Sequence, residues 1–320
     1  MRAAVYYETG TPDVLRYEDV ADPTPGPREV LVEVEAISIE GGDTLNRLGG
    51  EMATTPHIVG YQCGGTIREV GAEVADRRTG DRVVCTMVHG SHAELVAVPA
   101  SFTWLVPDGL EMTPAACVPI AFGTADDCLF EFGGLKSGET VLVQAGAGGV
   151  GLAAIQLAKR AGATVLATAS SEAKLERLAT FGLDHGLNYR EGDFAEMARR
   201  LTDGRGVDLV VDSVGSTLPG SIRCLAYRGR ISLVGNAGRD ATRVDASALM
   251  QGNQSIHGVF LGAELLLGDR AHANITRLLD DVARGELQVV VDRTFPLAEA
   301  AAAHAYLEDR KAFGRVVLIP

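Results

Sequence analysis

The pattern of apolar and polar positions changes character once along the chain. The first third carries short apolar runs broken by turn residues, which predict strands over residues 3–7, 30–39, 65–70, 82–87 and 93–98. Over residues 30–36 apolar side chains partly alternate with acidic ones, as on a half-buried strand, so Glu33 and Glu35 read as a solvated face. From about residue 140 the rhythm becomes strands alternating with helices. Strands are predicted over 140–145, 164–169, 186–189, 208–213, 230–234 and 255–261, with helices over 150–161 and 173–181 between the early ones. Such alternation builds a parallel sheet covered on both faces, and six strands fit a doubly wound nucleotide-binding fold. The last segment reads as a helix-like stretch over 273–284, a short run over 289–291 and a final strand over 314–319. The pattern alone leaves open which domain receives it.

Composition narrows the class. The chain has 320 residues, 46% of them hydrophobic and 22% charged, which is ordinary for a globular protein and long enough for two domains. Its formal net charge of -13 opposes attraction to nucleic acid or anionic lipid. The start lacks the apolar core of a signal peptide, and no run of about 18 apolar residues occurs, so a cytoplasmic protein without a membrane partner is expected. Cys63, Cys85, Cys117, Cys128 and Cys224 stand far apart, without a C-x-x-C pair and in odd number, which fits a reducing compartment.

One motif carries chemistry. After the predicted strand over 140–145 comes Gly146-Ala147-Gly148-Gly149-Val150-Gly151, a full G-x-G-x-x-G, and an apolar helix follows at once. In such a turn Gly146 permits the tight bend, Gly148 lets backbone approach a pyrophosphate, and Gly151 lets helix and strand pack closely. The helix over 150–161 follows Gly149 and begins at Val150, and its free N–H groups favour an anion. NAD sites place an acid at the end of the second strand, about 20 residues past the glycines. Here that place reads Thr168-Ala169-Ser170-Ser171-Glu172-Ala173-Lys174, so hydroxyls and a lysine lie where a 2′-phosphate would, and NADPH is expected over NADH. The plain alternatives are a helix N-cap for Ser170 and a solvated helix residue for Lys174.

With these residues in view, the chain resembles the medium-chain dehydrogenase/reductase superfamily, and within it the zinc-free quinone oxidoreductases related to zeta-crystallin. Further markers are Pro56-His57-Ile58-Val59-Gly60 leading into Gly64-Gly65-Thr66-Ile67, Gly80-Asp81-Arg82-Val83, Asn188-Tyr189-Arg190, Val211-Asp212-Ser213-Val214-Gly215 and Gly314-Arg315-Val316-Val317. The resemblance implies an α/β chain with a Rossmann doubly wound parallel sheet, residues 122–263, inserted into a GroES-like β-rich catalytic domain made of 1–121 and 264–320. It implies a homodimer joined through the last Rossmann strand, here 255–261. It also places Thr124 near the nicotinamide, and Ser170, Lys174 and Tyr189 around the adenosine 2′-phosphate.

Zinc-dependent relatives carry Gly-His-Glu where this chain has Gly60-Tyr61-Gln62, and neither substitute is a usual zinc ligand; His89 and His92 lack further ligands nearby. No metal is expected. Family members usually show Asn three residues before the Asp of an N-x-x-D segment, whereas Glu40 precedes Asp43 here. Tyr61 and Glu40 are the candidate proton donors or substrate-orienting groups, with structural roles as the plain alternative. The expected activity is hydride transfer to a quinone or related conjugated carbonyl compound. Its rivals are an enoyl or enone reductase, including the polyketide or fatty-acid type, and a non-catalytic NADPH-binding or RNA-associated protein.

Overall fold

The computed structural model describes residues 1–240 and 242–320. It divides the chain into two compact units, Met1–Ile120 with Ile275–Pro320, and Ala121–Asn274.

The first unit is β-rich. Strands Val291–Pro296, Arg315–Ile319, Glu29–Ser38, Gln62–Val70, Arg82–Thr86 and Thr103–Leu105 follow one another across a seven-stranded sheet, and Leu95–Pro99 pairs with the other edge of Glu29–Ser38. A three-stranded sheet of Arg16–Asp19, Arg2–Tyr6 and His57–Ile58 accompanies it. The long strand Glu29–Ser38 is half-buried by alternation: Val30, Val32 and Val34 point into the core while Glu33 and Glu35 are exposed. Glu33 pairs with Arg68, and Glu35 accepts the Thr66 hydroxyl at 2.8 Å, so this acidic face is solvated as its pattern predicts. The C-terminal strand runs antiparallel to it, Val317 opposite Ser38 and Leu318 opposite Ile37. The end of the chain therefore completes the sheet begun by its start.

In the second unit all strands run parallel, in the order His185–Asn188, Thr164–Ala169, Thr140–Val143, Val207–Asp212, Leu225–Leu233, Ser255–Gly258. The order reverses beside the first strand, which is where doubly wound sheets bind nucleotides. Thr140–Val143 is buried along its whole length because helices cover both faces of a parallel sheet. Helix Gly149–Arg160 buries every residue from Gly151 to Ala158 and ends on Lys159 and Arg160, whose charges suit the negative end of the helix dipole.

Several bounds differ from the pattern-based expectation. The strand at 255 stops at Gly258, because helix Leu261–Leu267 starts directly after Phe260. The short run at 289–291 is the approach to a longer strand, Val291–Pro296, whose polar residues Arg293 and Thr294 sit exposed on an edge where no apolar alternation is required. No helix is long and apolar enough to cross a membrane among the described residues.

Candidate functional site

The glycine turn sits at the C-terminal end of the first parallel strand, and its three motif glycines do different work. A Cβ on Gly146 would press on Ala167 at 2.9 Å and Leu178 at 3.0 Å. One on Gly151 would collide with the Ala145 carbonyl and meet Gly146 Cα at 2.8 Å. These two are closed by the protein itself. Gly148 is different: a Cβ there meets nothing nearer than the Ala145 oxygen at 3.4 Å, so the room beside it is not needed for packing. Gly148 is also the N-cap of helix Gly149–Arg160 and has no side chain to bond the first-turn N–H groups of Gly149 and Val150. An open glycine and an uncapped helix end make a cradle for an anion such as a pyrophosphate.

The second strand is tied to this turn. Its Thr168 carbonyl accepts the Gly146 N–H at 2.9 Å, and Ser170 follows at the strand's end, partly exposed. The third strand brings Tyr189 to the same edge, where its N–H donates to the Ala169 carbonyl at 3.3 Å and its side chain is exposed. The N-cap of helix Glu172–Ala179 is Ser171, whose oxygen accepts the Lys174 N–H at 3.4 Å. Ser170 is thus not committed to capping. Thr124 lies inside helix Val118–Asp126, buried rather than at a cap.

In the first unit the structure brings Tyr61 and Glu40 together around the start of helix Gly41–Gly49. Glu40 is the N-cap residue, and its N–H donates to the Asp43 carboxylate at 2.8 Å. The Glu40 carboxylate is buried in an ion pair with Arg315, and one of its oxygens also accepts from Gln62. Arg315 further donates to the Ser38 hydroxyl at 2.6 Å and the Ile39 carbonyl at 2.8 Å. Burial pushes the Glu40 carboxyl up, opposed by Arg315, and pushes Asp43 well above the usual carboxylate range. Glu40 is therefore enclosed among protein groups.

The Tyr61 hydroxyl rests on the helix backbone, where a Cβ on Gly42 would overlap it. Burial, with the carboxylates of Asp43 and Glu40 nearby, raises the phenol well above its ordinary value, so it stays protonated at neutral pH.

The zinc signature position does not fit a metal. The Gln62 amide is used up, donating to Glu40 and accepting the Ile120 N–H at 3.0 Å. Among the described residues no group of three or more His, Cys, Asp or Glu side chains is placed to hold an ion. His92 is buried against His304, with ring nitrogens 3.0 Å apart, and its pKa is lowered by burial to about 3. Sequence reasoning missed Arg315 and Gln62 as partners of Glu40. A buried acid needs a buried cation, but nothing local points to one 275 residues away.

The parallel sheet and its open glycine turn define a Rossmann-type dinucleotide fold. Residues 149–280 match the family described as zinc-binding dehydrogenase, and residues 26–108 match the alcohol dehydrogenase GroES-like domain. The chain is 35% identical to a 2-haloacrylate reductase of Burkholderia sp, over 99% of this chain and 98% of that one. It is also 35% identical to a quinone oxidoreductase of Pseudomonas aeruginosa, over 97% of each. A mycobacterial protein solved in complex with NADPH superposes with a TM-score of 0.95 at 37% identity, each chain covered completely. The chain is an oxidoreductase of the medium-chain dehydrogenase/reductase superfamily and belongs to its quinone-oxidoreductase-like group.

Proposed function

We propose that this enzyme binds NADPH at the turn formed by Gly146, Gly148, Gly149, Val150 and Gly151 and reduces a quinone or related conjugated carbonyl compound. The carrying observation is the contrast among the glycines: the open one stands at an uncapped helix end, between two that packing closes. When bound, the nicotinamide supplies a hydride. The chain's own part is to hold and orient. Gly148 and the first-turn N–H groups hold the pyrophosphate, and Thr124 lines the nicotinamide. Ser170, Lys174 and Tyr189 surround the 2′-phosphate, and no acid ends the second strand to favour a free ribose hydroxyl. The NADPH complex of the mycobacterial neighbour supports the same reading.

A second reading, reduction of an enone or enoyl compound, draws on Tyr61. Hydride addition to a conjugated alkene leaves a carbanion equivalent that a positioned acid can protonate, whereas a hydroquinone anion takes its proton from water. A phenol held protonated by its buried setting suits the first case. Glu40 would act there by fixing the helix start beneath Tyr61. The 2-haloacrylate reductase relative is in keeping with this reading.

The protein would act without zinc, in the cytoplasm, where its five cysteines, all free, stay reduced. It would pair with a second copy along the edge strand Ser255–Gly258, near which Phe260, Leu266 and Leu267 are exposed. The test is oxidation of NADPH and NADH by chelator-treated protein against quinones, enones and enoyl thioesters. NADPH-selective turnover of quinones supports the first reading. Turnover of enones that Tyr61→Phe abolishes supports the second, and tight NADPH binding with no turnover of any acceptor would count against both.

A further inference from the structure

Behind the glycine turn, in the second unit, lies a line of buried polar side chains that neither the motif nor the proposed chemistry uses. Asp212, at the end of the strand Val207–Asp212, is fully buried and accepts from four donors. These are the N–H groups of Val214 and Gly215, each at 3.0 Å, the Thr217 hydroxyl at 2.8 Å and the Ser221 hydroxyl at 2.9 Å. The Gln144 amide lies 3.2 Å from the Ser221 oxygen, the Thr168 hydroxyl 2.8 Å from the Gln144 carbonyl, and the Ala145 N–H 3.0 Å from the Thr168 oxygen.

The direction of every link is fixed by counting protons. An ionised carboxylate only accepts, so Ser221 must spend its single proton on Asp212. The Ser221 oxygen is then free only to accept, which turns the nitrogen of the Gln144 amide toward it. The amide oxygen consequently faces Thr168 and receives its hydroxyl proton. The Thr168 oxygen is left as an acceptor for Ala145. None of Gln144, Thr168, Asp212 or Ser221 is more than 2% exposed, so water offers no alternative partners.

The recipient is the strained point of the turn. Ala145 has φ 53°, a region that side-chain-bearing residues rarely adopt, and its carbonyl accepts the Gly148 N–H at 2.9 Å. Thr168 also takes the neighbouring Gly146 N–H on its main-chain carbonyl at 2.9 Å. One residue thus clamps two successive N–H groups, and the clamp is oriented from Asp212 across three strands of the sheet.

We infer that Asp212, Ser221, Gln144 and Thr168 form a one-way hydrogen-bond chain that sets the geometry of the dinucleotide turn, making Thr168 and Asp212 positioning residues for the cofactor. The inference rests on the reading of the turn as the NADPH site. Valine at 168 keeps the volume but leaves both the Ala145 N–H and the Gln144 carbonyl without a partner. Asparagine at 212 can donate to Ser221, so the polarity of the whole line is no longer dictated.

The experiment measures NADPH dissociation constants by titration of cofactor fluorescence, steady-state kinetics and denaturation midpoints for wild type, Thr168→Ser, Thr168→Val and Asp212→Asn. Thr168→Val and Asp212→Asn are expected to weaken NADPH binding about tenfold, the order of one lost buried hydrogen bond. The loss should fall on KM for NADPH more than on kcat, and Thr168→Ser, which keeps the hydroxyl, should restore binding. If Thr168→Val does not fold, Asp212→Asn carries the same expectation. Wild type that binds NADPH while the folded variants bind it equally well overturns this inference alone, even where their midpoints drop. Wild type that does not bind NADPH overturns the cofactor reading and this inference with it.

Discussion

Among the carboxylates that each unit buries, Glu40 in the first and Asp212 in the second are answered in opposite ways. Glu40 meets a full countercharge, the guanidinium of Arg315, with Gln62 and Ser38 alongside. Asp212 meets only neutral donors, two N–H groups and two hydroxyls. A countercharge compensates burial strongly, yet its attraction has little direction and stays local. Hydroxyl and amide donors carry single, aimed protons, so satisfying Asp212 fixes the orientation of groups further along the line. The first arrangement holds two ends of the chain together, and the second carries orientation outward to a binding turn.

The largest test of this contrast is to remove one charge. Glu40→Ala leaves Arg315 buried without its anion, and breaking a buried pair in this way costs about 3–5 kcal/mol. Chemical denaturation at neutral pH should show that loss, and Glu40→Ala combined with Arg315→Met should recover a large part of it. Equal stability of the single and double variants would mean that the pair does not hold the unit.

Acid is the next lever. His92 has a folded pKa of about 3 against an ordinary 6.5, so the folded protein refuses a proton that the unfolded chain accepts. That contribution is complete above pH 6.5 and is lost as pH falls toward 3, at about 1.4 kcal/mol per pH unit. His304, lowered mainly by burial, acts in the same sense, while Asp43, raised by burial, acts in the opposite one. The clean readout is therefore a difference: melting curves of wild type should fall more steeply between pH 6.5 and 5 than those of His92→Gln. Parallel curves would show that His92 takes up its proton without penalty.

The glycine turn separates fold from binding. Gly148→Ala keeps an ordinary φ of -83° and meets only an oxygen at 3.4 Å, so its melting temperature should match wild type. Its NADPH affinity should fall about a hundredfold, the order of two charge-assisted hydrogen bonds. Gly151→Ala, forced against the Ala145 carbonyl, should lose stability as well. Calorimetry and cofactor titration on the pair decide whether the two glycines divide their work in this way. The smallest effect is Lys174→Ala, expected to lower the NADPH over NADH preference about tenfold; an unchanged ratio removes Lys174 from the 2′-phosphate site.

What the sequence makes legible is what lies within one turn or one strand–helix unit. Gly146, Gly148 and Gly151 announce their strand, turn and helix, because close approach of backbone demands glycine at fixed spacing. The alternation around Glu33 and Glu35 gives the exposed face of its strand. Contacts between distant segments leave no such periodic mark. Glu40 reads as an odd acid in an amide's place, and only the folded chain supplies Arg315. Asp212 stands in a recognisable run, yet its reach through Ser221 to Gln144 spans 77 residues from Ser221 alone. Ser170 and Ser171 are equivalent by pattern, and the backbone decides that Ser171 is the cap.

The pairing of Arg315–Ile319 with Glu29–Ser38 sets an order of assembly on the ribosome. The parallel-sheet unit is contiguous and can close on itself as soon as it has emerged. The β-rich unit must wait, with an edge of Glu29–Ser38 unzipped and Glu40 without its cation, until a strand translated after the whole middle unit arrives. Such non-local closure slows folding and leaves an open strand edge as the vulnerable species during synthesis.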